Sequence, residues 1–160
     1  MKVLVGMLCV VSVILGTQSC VSRAPGGGRL QGEAVVTLVG DAIDVRRVLS
    51  LESGRWYTPT GGIRLFFEDP DGWASHLSGP IPGREPSSDR AFFGSVTTPA
   101  AVEYWSDTEE GGTLLGPIPT DEGYTLALHC EVVHVGDRVS SEVTRMSIVA
   151  EVTGSGLIEP

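Results

Sequence analysis

The stretch Tyr124-Thr125-Leu126-Ala127-Leu128-His129-Cys130-Glu131-Val132-Val133-His134-Val135 is followed by Gly136-Asp137 and then by Arg138 to Thr153. Tyr124, Leu126, Leu128, Cys130 and Val132 recur at every second position. That period belongs to a strand with one apolar side, whereas a helix repeats at three and four. Gly136-Asp137 suits a two-residue hairpin turn. Pairing Tyr124–Val135 against Arg138–Thr153 across that turn sets Cys130 opposite Val143. Unbroken, it would set Leu128 opposite Arg145 and Leu126 opposite Ser147, which puts an Arg and a Ser on the apolar face. The apolar set shifts phase instead, to Met146, Ile148, Ala150 and Val152. One extra residue near Thr144–Arg145 restores Leu128 against Met146 and Leu126 against Ile148. The sequence therefore predicts a β-bulge there, since a one-residue slip exchanges the two faces.

Working outward, the chain reads as short strands separated by Gly, Pro, Asp and Ser. The candidates are Glu33–Val39, Ile63–Glu68, Ala91–Thr97 and Ala100–Ser106. Asp41–Leu51 has two readings. Asp41 can cap a short helix with Val45, Val48 and Leu49 on one face, or Arg47–Leu51 can be a strand. Leu77-Ser78-Gly79-Pro80-Ile81-Pro82 is echoed by Leu114-Leu115-Gly116-Pro117-Ile118-Pro119. Each copy follows a strand candidate and an acidic loop, so the pair reads either as a duplicated strand–loop–strand unit or as two similar connections.

The N-terminus has a separate character. Met1-Lys2 is a short positive segment, and Val3–Leu15 is an apolar run broken only by Gly6 and Ser12. Such a run fits an export signal and falls short of the roughly 20 residues that span a bilayer. Gly16-Thr17-Gln18-Ser19-Cys20 follows, and this stretch resembles the lipobox of bacterial lipoproteins. Ser19 and Cys20 match that pattern. Thr17 stands where Leu is usual, and Gln18 where a small residue is usual. The resemblance covers the signal alone and implies cleavage before Cys20 and lipidation of Cys20. Residues 20–32, rich in Gly and Ser, then read as a flexible tether. Cys9 leaves with the signal, so Cys130 is alone if Cys20 is lipidated. If it is not, a Cys20–Cys130 disulfide is open in an oxidising compartment.

Composition limits what the mature part binds. Twenty Asp and Glu oppose eleven Lys and Arg, for a net charge of −9, and the only Lys is Lys2. A field of that sign repels nucleic acid and favours solubility or cationic partners. There is no Asn, which excludes N-linked glycosylation.

No catalytic or metal-binding motif stands out, and no cofactor is expected. His129 and His134 share a strand candidate at odd spacing, so they face opposite sides. Cys130 and His134 share a face but lie roughly 13 Å apart on a regular strand, too far for one ion. Glu68-Asp69-Pro70-Asp71-Gly72 lacks the closing acid of a calcium loop and reads as a solvated turn. Trp56-Tyr57, Trp73 and Tyr104-Trp105 lie at strand ends or in loops beside acids. In Tyr104-Trp105, strand neighbours face opposite ways, so one ring of the pair belongs to the core.

The expected fold is all-β: a single sandwich of about six to eight strands over residues 33–154, with immunoglobulin-like topology as one arrangement and 155–160 as a tail. The expected role is a non-catalytic binding or structural module, exported and membrane-anchored through Cys20 in a bacterial envelope, or secreted or periplasmic without the lipid. Its partner would be an envelope protein or glycan and not nucleic acid. The expected partner surface is the loops Glu68–Pro86 and Asp107–Gly123, with Asp69, Asp71, Trp73, Asp107, Glu109 and Glu110 as candidates. A carbohydrate-binding module using its tryptophans is a second reading, and co-location of Trp56, Trp73 and Trp105 would favour it. A small hydrolase with an unrecognised site is a third.

Overall fold

The computed structural model describes residues 30–57, 62–80 and 91–154. The export signal, Cys20, most of the tether and the tail lie outside them, as does the side chain of Trp56. All regular structure among the described residues is β. In chain order the strands are β1 (Leu30–Val39), β2 (Asp44–Tyr57), β3 (Gly62–Glu68), β4 (Ala74–Pro80), β5 (Phe93–Thr97), β6 (Glu103–Asp107), β7 (Gly112–Pro119), β8 (Gly123–Cys130), β9 (His134–Val135), β10 (Arg138–Val139) and β11 (Arg145–Gly154). They form one antiparallel sheet in the order β10-β9-β6-β5-β4-β3-β2-β1-β11-β8-β7, curled into a half-barrel.

The all-β expectation holds, but eleven strands in one sheet stand where six to eight in a sandwich were expected. The cause is β1. It pairs with β2 on one side and with β11 on the other, so the sheet runs unbroken through the middle of the fold. β1 also begins at Leu30, inside the stretch that reads as tether.

The C-terminal pair forms with a different register. Leu126, Leu128, Met146 and Ile148 are all buried. However, Leu128 pairs with Ile148, Leu126 with Ala150 and Cys130 with Met146, in an uninterrupted ladder. The expected bulge at Thr144–Arg145 is therefore absent. The register lies two residues from the expected one, which preserves faces. The phase change is taken up by residues 131–144, which leave the pair. Within them Gly136-Asp137 turns the small β9–β10 hairpin, and β9 docks on β6. Gly136 has φ 57°, the left-handed backbone that favours glycine at the first central position of such turns.

Asp41–Leu51 resolves as strand. Leu49 is buried opposite Ala34, whereas Val48 points outward and is 55% exposed, so the three-residue helical face does not exist. Both Gly-Pro-Ile-Pro echoes lie in strands that the sequence reading placed in connections. The first ends β4 and the second lies within β7, with Ile81 and Pro82 outside the described residues. The duplication does not extend to the topology: β3 and β4 form a hairpin, whereas β7 lies beside β8 at the far edge from β6. An edge position tolerates Pro117 and Pro119, which lack a donor for a further strand.

Inner positions alternate with outer ones along β1, β3 and β11, while in β5 and β8 the outward Ser95 and Ala127 are buried as well. Leu38, Leu65, Phe67, Leu77, Leu126, Leu128 and Ile148 are all fully buried. Each such side chain contributes roughly 1.5–3 kcal/mol on leaving water. The curl presses β5 onto β8 and β11. A Cβ on Gly94 would run into Leu128 Cδ2, with Ile148 Cδ1 at 3.1 Å and Leu77 Cδ2 at 3.2 Å.

Candidate functional site

The six partner-surface candidates divide between two turns. In the β3–β4 turn, Asp69 Oδ1 accepts the Trp73 N–H at 3.0 Å, and Gly72 N–H donates to Asp69 O at 3.1 Å. Trp73 is buried at the end of the core, with Arg47 Cζ 5.5 Å from its ring centroid. The same guanidinium reaches Asp71 at 3.2 Å. Val36 and Arg47 are register partners, so Arg47 starts from the inner face and its stem crosses apolar surface to reach the acid. In the β6–β7 turn, Asp107 Oδ1 accepts the N–H groups of both Glu109 and Glu110 at 2.9 Å. Glu110 Oε2 lies 2.6 Å from His134 Nε2, a contact outside hydrogen-bond geometry. These two turns lie at opposite ends of the strands. Thr97, at one end of β5, pairs with Ala74 and Glu103, while Phe93, at the other, pairs with Asp107. Roughly 13 Å of strand separates them.

Between the turns the outer face carries a ladder of rings that the sequence reading missed. Phe66 and His76 stack at 4.3 Å with an interplanar angle of 1°. His76 meets Phe93 at 5.8 Å, Phe93 stacks on Trp105 at 5.8 Å, and Trp105 stacks on His134 at 4.5 Å. The rings come from β3, β4, β5, β6 and β9, so the ladder crosses five strands, roughly 19 Å of sheet. Ser95 lies beneath it, 3% exposed. Trp105 Nε1–H donates to Gly136 O at 2.9 Å, which ties the β9–β10 turn to the ladder. A depression of about 200 Å³ adjoins it, bordered by Phe66, Glu68, His76, Ser95 and Glu103. Burial, then the nearby Arg64 charge, lowers the His76 pKa from its ordinary 6.5, and Glu103 opposes them.

A signal for this ladder does exist in the sequence. Phe66-Phe67, Phe92-Phe93 and Tyr104-Trp105 are aromatic doublets, and strand neighbours face opposite ways. Phe67, Phe92 and Tyr104 enter the core, and Phe66, Phe93 and Trp105 form the outer row. Their meeting depends on strand order, which no local pattern encodes.

The histidines occupy three different settings. His134 lies in β9 and not in the strand of His129. No group of His, Cys, Asp or Glu able to hold a metal occurs among the described residues. Cys130 is a free, buried thiol whose pKa is raised by burial. His129 does meet a hydroxyl: its Nδ1 lies 2.9 Å from Ser147 Oγ on the outer face. That pair has a nucleophile and a base, but among the described residues no carboxylate bonds the other ring nitrogen. Ser147 also sits in mid-strand, where its backbone N–H belongs to a ladder and is not free to stabilise an oxyanion.

The chain matches no family model, no curated protein and no solved structure.

Proposed function

We propose that this chain is an exported, lipid-anchored envelope protein whose folded domain binds a protein partner without catalysis. The observation that carries the binding surface is the ring ladder on an outward face, flanked by acids along both sides. Glu68 and Glu103 lie along the side of the β3–β4 turn, and Asp107, Glu109 and Glu110 along the side of the β6–β7 turn. Phe66 is 37% exposed at the ladder's margin. A patch with rings at its centre and charge at its rim has the anatomy of a protein interface. The acidic rim selects a partner with Arg or Lys around an apolar centre. Asp69, Asp71 and Trp73 serve this surface indirectly, by holding the β3–β4 turn.

The carbohydrate reading has less support. Sugars stack on open ring faces, but Trp105 has Phe93 on one face and His134 on the other. Trp73 is buried in the core.

The test replaces Glu68, Glu103, Glu109 and Glu110 with Ser in the full chain. Partner recovery after in-cell crosslinking and thermal stability are both measured. Lost recovery with unchanged stability supports the surface. Unchanged recovery rejects it.

A further inference from the structure

On the other half of the sheet, the outer face of β1, β11 and β8 carries a second site of different chemistry. A depression of about 290 Å³ is bordered by Thr37, Val39, His129, Glu131, Arg145 and Ser147. Thr37 pairs with Ser147, and Ser147 with His129, so two hydroxyls and an imidazole form one cross-strand row. Arg145 stands two residues along on the same face. Among the described residues its guanidinium has no hydrogen bond or ion pair. Arg46, which pairs with Thr37 at the end of the same row, and the more distant Arg64 and Arg138 likewise have no hydrogen bond or ion pair among the described residues, but Arg145 is the arginine that borders this depression.

The adjoining row indicates what kind of ligand fits. Val48, Val35, Val149, Ala127 and Leu115 are register partners in succession across β2, β1, β11, β8 and β7. Val48 is 55% and Leu115 49% exposed, Val35 and Val149 are half-buried and Ala127 is buried, so the stripe meets solvent from Val48 to Val149 directly beside the polar row. We infer that this face binds an aliphatic monocarboxylate, its head on Arg145 and Ser147 and its tail along Val149 and Val35. A planar carboxylate matches the guanidinium fork with two parallel hydrogen bonds. Ser147 Oγ, with His129 Nδ1 as its neighbour, supplies a third polar contact. A single charge suits the site, because a divalent anion would face Glu131 on the rim.

Titration of the full chain with sodium hexanoate, sodium acetate and inorganic phosphate, read by NMR at His129 and Val149, tests this. The expected dissociation constant for hexanoate is on the order of 1 mM, since the head group stays hydrated. Hexanoate should bind roughly tenfold tighter than acetate, from methylenes half-buried on the stripe. Arg145→Gln should weaken both by about tenfold or more, the loss of a charge-assisted pair. Val149→Thr should bring hexanoate close to acetate while acetate holds. Arg138→Gln, in the β9–β10 hairpin, should change nothing, and thermal melts check that each variant folds. No saturable response below roughly 50 mM, retention of binding in Arg145→Gln, or phosphate binding as tight as hexanoate overturns the inference.

Discussion

The contact between the two arms of the curled sheet is open to a quantitative test at Gly94. This residue faces the core from β5, and its absent side chain is the space that Leu128 of β8 occupies. β5 and β8 are far apart in the strand order, so nothing but the curl brings them together. Gly94→Ala places a methyl group on Leu128 Cδ2 and close to Ile148 Cδ1 and Leu77 Cδ2. Overpacking of this kind costs about 1–3 kcal/mol. Leu128→Ala removes a fully buried side chain and costs about 2–5 kcal/mol alone. In the double variant the new methyl enters the cavity that the leucine leaves. The two costs should therefore fall short of adding, by about 1 kcal/mol or more. Equilibrium urea unfolding, followed by tryptophan fluorescence, gives all four stabilities. Additivity within about 0.3 kcal/mol would refute the face-to-face packing of these arms.

Three further outcomes follow from the same structure. His76 is harder to protonate folded than unfolded, so the unfolded chain binds more protons below about pH 6.5. Stability should fall as pH drops from about 7.5 to 5.5 and should level off once the folded imidazole is itself protonated. His76→Phe should lose that component while keeping the stack, as thermal melts across the pH range would show. Cys130, a free and buried thiol with a raised pKa, should resist iodoacetamide until the protein unfolds, as read by peptide mapping. Asp107→Ala removes the acceptor of two backbone N–H groups and should cost about 1 kcal/mol in urea unfolding.

The sequence carried the strand content well and the topology poorly, for identifiable reasons. Alternation in Tyr124–Cys130 and Met146–Val152 reports which face is buried, and that face is as expected. It does not report register, because any shift by two leaves the faces unchanged. A bulge at Thr144–Arg145 follows only if the strands on either side of Gly136-Asp137 pair directly. In the structure that turn belongs to a separate small hairpin. β4 and β7 escaped because Gly79, Pro80, Gly116 and Pro117 read as punctuation. The acids of the candidate surface were legible as turn residues, since Asp69 and Asp107 each bond backbone N–H groups close by in sequence. That the two turns lie at opposite ends of the same strands was not legible. Nor was the ring ladder, which depends on β9 docking beside β6. The Ser147–His129 pair likewise joins β11 to β8 through register alone.

A partner seated on the ladder face should be within reach of a probe at the exposed margin of the rings. A photo-crosslinking aromatic residue at position 66, on the exposed margin of the ladder, tests it in the producing cell. The same group at position 141, exposed in the connection before β11, is the control. A partner at the ladder gives a discrete crosslinked species from position 66 and none from position 141, with the position 66 product lost when Glu68, Glu103, Glu109 and Glu110 are replaced by Ser. Equal capture at both positions, or a species at position 66 that survives loss of the acids, would contradict it.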